Sequence, residues 1–198
     1  MNEVIKNIYE RRAVRKYTNK AVSKDIIEKL LDAGKMSPSA TNKQPWKFYV
    51  VTSKEDIKLF SSEIAKVGMK SMAEMSLKKV ASAIVSSITD LAHGIDFMKA
   101  KDPVFYGAPV VIFITSPIEN EWAGLDIGMC SQNIMLAAKS LGLDSCPIGF
   151  GKFVEKSKDY PKLNIPQTEQ VQIAIVIGYG NEIPEVHKRK KDNVVWVL

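Results

Sequence analysis

Three arginines fall within five positions, Arg11, Arg12 and Arg15, and Tyr17 follows them. An arginine keeps its charge at any working pH, and its planar fork of N–H groups matches the oxygens of a phosphate. A phosphate monoester carries a charge of about −2 near neutral pH, so more than one cation suits it. A second cluster is Ser37-Pro38-Ser39-Ala40-Thr41-Asn42-Lys43-Gln44-Pro45-Trp46. Its small residues leave backbone N–H groups, and the Ser39 and Asn42 side chains, free to hydrogen-bond something outside the segment. Pro38 and Pro45 restrain the backbone at either end. A stiff loop of this kind suits close approach to a flat polar ligand. The plain alternatives are a solvated charge run after a helix and an ordinary helix-to-strand loop.

Other chemistries find little footing. Gly149-Phe150-Gly151 and Gly178-Tyr179-Gly180 each begin a G-x-G, but Val154 and Ile183 stand where a dinucleotide fingerprint needs its third glycine. No phosphate-binding P-loop is present. His93 and His187 belong to neither an H-x-x-x-H nor an H-E-x-x-H pattern, so no metal site is expected. No Ser, His and Asp grouping suggests acyl transfer. The net charge of +6 and pI near 9.2 raise the question of nucleic acid. The densest basic run, His187-Lys188-Arg189-Lys190-Lys191, has no interleaved aromatics on which bases could stack, which argues against it.

Taken together, the two clusters resemble the nitroreductase family of flavin mononucleotide (FMN) enzymes. That family shows R-R-S-x-R-x-[FY] near its start and P-S-x-x-N-x-Q-P-W some way on. The resemblance continues through Asp102-Pro103-Val104-Phe105-Tyr106-Gly107-Ala108-Pro109, then Asp126-Ile127-Gly128, then Leu141 to Gly149, in the family's order. It implies that Arg11 binds the phosphate, with Arg12 contributing through backbone or side chain. Arg15 would lie by the pyrimidine edge of the flavin, where a cation favours the reduced state. Ala13 stands where the family usually has Ser. A basic pair near the C-terminus would also reach the phosphate; the match lies within Lys188, Arg189 and Lys190, without the usual following proline. Ser39 and Asn42 would approach from a partner subunit, with Pro38 and Ala40 packing on the ring. Pro147, Ile148 and Gly149 would run along its other side and present a backbone N–H to N5. No side chain is assigned as catalytic, because the flavin performs the redox step.

The implied function is a ping-pong oxidoreductase. NADH or NADPH would reduce the flavin, and the flavin would reduce a nitroaromatic, quinone or activated alkene. Two other readings stay open: a specialised enzyme of the same fold, of dehalogenase or flavin-fragmenting type, and a flavin-binding protein without turnover. The implied architecture is an α+β three-layer sandwich: a central, mostly antiparallel sheet, helices on both faces, and an intertwined homodimer.

The elements that must position these residues show in the periodicity. Glu3 to Glu10 is a short helix. Ser23 is a plausible N-cap for a helix carrying Ile26, Ile27, Leu30, Leu31 and Ala33, with Gly34 and Pro38 helping to end it. Lys47 to Thr52 reads as a buried strand, and Ser53 caps a helix from Lys54 to about Val67. Val110 to Thr115 is a strand, Trp122 to Leu141 a long helix, and Val171 to Ile177 a strand buried on both faces. Val194 to Leu198 reads as a short terminal strand, with Trp196 an anchor on the partner. Within residues 68–100, Met69, Met72 and Met75 precede an apolar helical stripe from Leu77 to Ile95, read as core. Helices alternating with a few apolar strands point to α+β or α/β. One domain is expected across the 198 residues, 45% hydrophobic and 25% charged. The polar start and the absence of a long apolar run point to the cytoplasm. Cys130 and Cys146 fit neither a disulfide framework nor a zinc site; the first reads as helix core and the second as lying beside the site.

Overall fold

The structure is a computed structural model that describes residues 2–79 and 102–197, with 72–79 by backbone alone. The stripe expected from Leu77 to Ile95, the side chains of Met72 and Met75, and His93 lie outside what it describes. Four helices are named here: α1 (Glu3–Glu10), α2 (Lys24–Lys35), α3 (Lys54–Lys79) and α4 (Ala123–Ser140). Four strands accompany them: β1 (Lys47–Val51), β2 (Val110–Pro117), β3 (Asp144–Ile148) and β4 (Glu169–Gly178). The strands form one sheet in the order β1-β2-β4-β3, with every pair antiparallel.

Alternation along the strands divides the core into two layers. Val111 and Phe113 of β2 face one way, with Ile57, Phe60 and Ile64 of α3, and with Cys146 and Ile148 of β3. Val110, Ile112 and Ile114 face the other way, with Ile27 and Leu30 of α2, and with Ile127, Cys130 and Ile134 of α4. Each such side chain, fully buried, contributes roughly 1.5–3 kcal/mol of transfer free energy. The three-layer α+β reading therefore holds, and Cys130 sits in the core as expected.

Local chemistry explains the helix starts and several departures from expectation. Asn2 caps α1, its Oδ1 accepting from Ile5 N at 3.0 Å. Ser53 Oγ caps α3 by accepting from Asp56 N at 3.2 Å. Ser23 holds the N-cap position of α2 but makes no side-chain cap bond; its carbonyl oxygen accepts from Ile26 and Ile27 instead. α2 runs through Gly34 because the glycine is a contact point: a Cβ there would lie 2.8 Å from Ile134 Cγ1. α3 passes its expected end at Val67 for a similar reason. A Cβ on Gly68 would lie 2.5 Å from the Phe150 ring, so this glycine admits an aromatic rather than ending the helix. The tail departs in the opposite sense. Residues 194–197 form no strand and are exposed, Trp196 by 81%. A strand needs a neighbour for its N–H and C=O groups, and this chain's own strands do not supply one there.

Candidate functional site

The arginine segment is stitched to an edge of the sheet. The chain leaves α1 at Arg11, whose N–H still bonds to Asn7 O at 2.9 Å. It then lies parallel to β3, with Ala13 opposite Ser145 and Val14 N donating to Ser145 O at 3.2 Å. It ends antiparallel to the residues after β4, where Tyr17 faces Gly180 and Thr18 N donates to Tyr179 O at 2.9 Å. The glycines of Gly178-Tyr179-Gly180 make this approach possible. A Cβ on Gly178 would lie 2.9 Å from the Tyr17 ring, and one on Gly180 would lie 3.1 Å from Val14 Cγ1.

The three arginines meet different fates. Arg11 Nε is buried and has no hydrogen-bond partner among the described residues. Arg12 Nη1 folds back and donates to Tyr9 O at 2.6 Å and Arg11 O at 2.7 Å, so its charge caps the C-terminus of α1. Arg15 donates its backbone N–H to Glu182 Oε1 at 2.5 Å. Its guanidinium reaches the Tyr106 phenol and the Cys146 thiol. Burial pushes the Cys146 thiol up, against the pull of Arg15 and Arg11, and pushes Cys130 up to about 12. Among the described residues every ion pair takes a lysine as its cation, and the guanidinium groups of Arg11, Arg12, Arg15 and Arg189 have no carboxylate partner. Cys146 lies on β3 next to Ser145, the register partner of Ala13, which puts it beside the arginine segment.

The Ser37–Trp46 loop hangs from α4. Asp126 is 1% exposed, and its Oδ1 accepts from Ala40 N at 3.0 Å. Asn133 Nδ2 donates to Ser37 Oγ at 2.8 Å and Ala33 O at 3.3 Å. Thr41, Asn42 and Gln44 all stand in the left-handed region, at φ 49°, 55° and 47°. Such angles strain a β-branched Thr and persist only where the surroundings enforce them. The Ser39 and Asn42 side chains are less free than expected. Ser39 Oγ accepts from Gln44 N at 2.9 Å, and Asn42 Oδ1 accepts from Gln44 Nε2 at 3.1 Å. A short loop with strained angles needs internal bonds to hold its shape, and these use up the acceptors. Among the described residues the Ser39 hydroxyl proton and the Asn42 amide protons take no acceptor, and Pro38 and Asn42 are exposed. Asp126 and Asn133 are the supports that sequence reasoning missed as such.

At the end of β3, Pro147 and Gly149 are exposed, while Ile148 turns into the α3-side core at 5% exposure. Only the backbone of Ile148 can meet a ligand. A Cβ on Gly149 would meet nothing within 4 Å, so space lies open above it. Gly151 is a packing glycine, its Cβ position 2.6 Å from that of Ala174. Lys188, Arg189 and Lys190 are exposed, and Arg189 Nη1 donates to His187 O at 3.0 Å.

Arg11 to Arg15 and Pro147 to Gly149 therefore share the β3 edge. The Ser39–Asn42 loop does not join them. It is anchored to α4 on one face of the sheet, whereas Arg15 reaches Tyr106 and Cys146, which pack with the α3 layer on the other. A cavity of about 610 Å³ opens beside Arg15, walled also by Lys54, Lys58, Asp102 and Tyr106. Of the expected ligand-binding residues, Arg15 alone lines it.

Residues 8–179 match the family model described as the Nitroreductase family. The chain is 25% identical to the 4-nitrobenzoate reductase of Pseudomonas putida over 195 residues, covering 88% of this chain and 84% of that protein. It is 28% identical to the nitrobenzene nitroreductase of Ectopseudomonas oleovorans over 203 residues, covering 90% and 87%. Among solved structures, a nitroreductase with bound FMN from Desulfitobacterium hafniense superposes with a TM-score of 0.80 over the full length of both chains, at 25% identity.

Proposed function

The chain belongs to the nitroreductase family, and from that premise we propose that it is an FMN-dependent oxidoreductase that takes electrons from NADH or NADPH and delivers them to an electron-poor acceptor: a nitroaromatic, a quinone or an activated alkene. The observation that carries the cofactor is the unspent cationic edge. Among the described residues the guanidinium groups of all four arginines have no carboxylate partner, and the buried Arg11 Nε has no acceptor. A buried unsatisfied donor on a charged group costs about 1–3 kcal/mol or more, which an anion would repay. A phosphate fits that need, with Arg11 holding it and Lys188, Arg189 or Lys190 adding charge. Ala13 adds no hydroxyl to this set, so the guanidinium contacts have more to do. Pro147 and Gly149, with the backbone of Ile148, offer a flat open surface at the end of β3. When bound, FMN supplies two-electron redox chemistry. The chain's own residues bind it and orient it, and Arg15 brings positive charge to it.

The same reading makes the site composite, with Ser39 and Asn42 supplied by a second copy of the chain. The anchoring of the loop and of Arg15 on opposite faces of the sheet supports this. So does the apolar surface left bare: Val4, Ile5, Ile8 and Tyr9 on α1, and Val194 to Val197 in the tail, are all exposed. Exposed apolar clusters of that kind mark association faces. Gly124 and Gly128 on α4 also have open space around their Cβ positions, which permits close approach of a partner helix. We read residues 1–198 as one domain and the assembly as a homodimer. No helix among the described residues is long and apolar enough to cross a membrane.

One experiment tests both parts. Sedimentation and flavin content are measured together on the full chain and on a chain lacking residues 194–198. The full chain should sediment as a dimer, be yellow, and release FMN on heating. The shortened chain should dissociate more readily and hold less flavin. Colourless protein that cannot be reconstituted with FMN sinks the cofactor, and a flavin-loaded monomer sinks the composite site.

A further inference from the structure

Arg15 is the expected cofactor residue that lines the cavity beside Lys54, Asp102 and Tyr106. An exposed arginine beside about 610 Å³ of free space has many rotamers, a freedom of roughly 2 kcal/mol. Something must hold it if its charge is to act at one place. The neighbouring turn is built to do so. Tyr106 stands at φ 58° and Gly107 at φ 74°. For a bulky residue this is a strained conformation that survives only when its surroundings over-determine it. Asp102 provides that constraint. Its Oδ1 accepts from Phe105 N at 2.9 Å and from Ser61 Oγ, and its Oδ2 accepts from Gly107 N at 2.9 Å. Ser61 Oγ in turn accepts from Val104 N at 3.2 Å. The enforced turn sends the Tyr106 side chain into the cavity wall that Arg15 shares.

We propose that Tyr106, locked by the Asp102 turn, is a positioning residue that latches the Arg15 guanidinium at the pyrimidine edge of the bound flavin. The proposal rests on the FMN reading above. The phenol and the guanidinium line the same cavity wall, close enough for the Arg15 charge to act on the phenol, and burial keeps the phenol in its neutral form. A carboxylate in its place would hold Arg15 too but would cancel its charge. A neutral phenol restrains the cation and leaves the charge for the ligand. Cys146, also a neutral acid within the field of Arg15, obeys the same logic. The strain at Tyr106 has a use on this account: it aims an aromatic acceptor that no unstrained turn would place there.

The test is the reduction potential of bound FMN in four proteins: wild type, Tyr106→Phe, Arg15→Gln and the double variant. Tyr106→Phe removes one oxygen and keeps the ring, so the apoprotein should melt as before. Its flavin should be harder to reduce, the equilibrium falling about threefold, or ~14 mV for a two-electron couple. Arg15→Gln should shift it about tenfold, ~30 mV. In the Arg15→Gln background Tyr106→Phe should add nothing, because its effect acts through Arg15. An unchanged potential in Tyr106→Phe overturns the proposal, and so does an equal shift in both backgrounds. A wild-type protein that takes up no FMN defeats the functional reading itself. Bound FMN with an unmoved potential defeats only the latch.

Discussion

Two charged clusters lie near opposite edges of one sheet and are treated in opposite ways. Near the β1 edge, Glu169 accepts from Lys47 Nζ at 2.6 Å, Thr115 Oγ1 at 2.7 Å and Tyr49 OH at 2.9 Å. Burial alone would push this carboxyl up; the bonds from Lys47, Thr115 and Tyr49 outweigh it and hold it below the ordinary value. The Tyr49 phenol is pushed up to about 12, by burial and by Glu169. At the β3 edge, the buried Arg11 Nε has no partner among the described residues, and the Arg15 charge acts on a phenol and a thiol. Folding satisfies the first cluster within the chain. The second is left with its charge unspent. A cluster closed on itself stabilises the fold, and one left open is available to a ligand.

The sharpest way to break that contrast is Arg11→Ala. It should weaken FMN binding about 10- to 150-fold through loss of a charge-assisted bond of about 1.5–3 kcal/mol. The melting temperature of the apoprotein should not fall, because an unsatisfied group has been removed. Riboflavin, which lacks the phosphate, should bind both proteins alike in a fluorescence titration. Equal losses for riboflavin and FMN would show that Arg11 does not serve the phosphate.

Glu169→Gln should give the reverse pattern. Stability should drop by about 1.5 kcal/mol, a loss of roughly 3–6 °C in melting temperature, while FMN affinity stays unchanged. The pH dependence has a definite sign. The folded-state value of Glu169 is lowered, so its contribution is present above the ordinary glutamate range and is lost as pH falls through the lowered value. Acid unfolding of the Gln variant should lack that component. Urea titrations across pH measure it, and an identical acid limb in both proteins would contradict the assignment.

The smallest effect sharpens the contrast within the arginines. Arg12 already spends its guanidinium on Tyr9 O and Arg11 O, so it should behave like the closed cluster. Arg12→Ala should cost about 0.3–1 kcal/mol of stability and change FMN affinity less than Arg11→Ala does. A loss of affinity matching that of Arg11→Ala would mean that Arg12 abandons the helix terminus for the phosphate.

Legibility in the sequence followed the range of the physics. α2 and β4 were readable because their burial is periodic or continuous: Ile27 and Leu30 one turn apart, and Ala174 to Gly178 buried in succession. The arginine cluster was readable because its members are adjacent. Asp126 was not readable as the anchor of the Ser39 loop, since its partner Ala40 lies 86 positions away. Nor was the left-handed Tyr106, because tyrosine is no turn residue and Asp102 imposes the angle from outside. Gly34 and Gly68 look like helix stops locally and prove to be contact points, which only Ile134 and Phe150 reveal. The tail misled in the other direction: its residues favour a strand, and the single chain gives them nothing to pair with.

The stitching of Ala13 to Ser145 also has a consequence in time. The arginines leave a ribosome before the strand they zip onto, which follows about 130 residues later. At about 5–20 residues per second, the arginine segment waits roughly 7–26 s for the edge that shapes it. Until then its cations are loose on a nascent chain, and cofactor capture should be a late event in the life of the polypeptide.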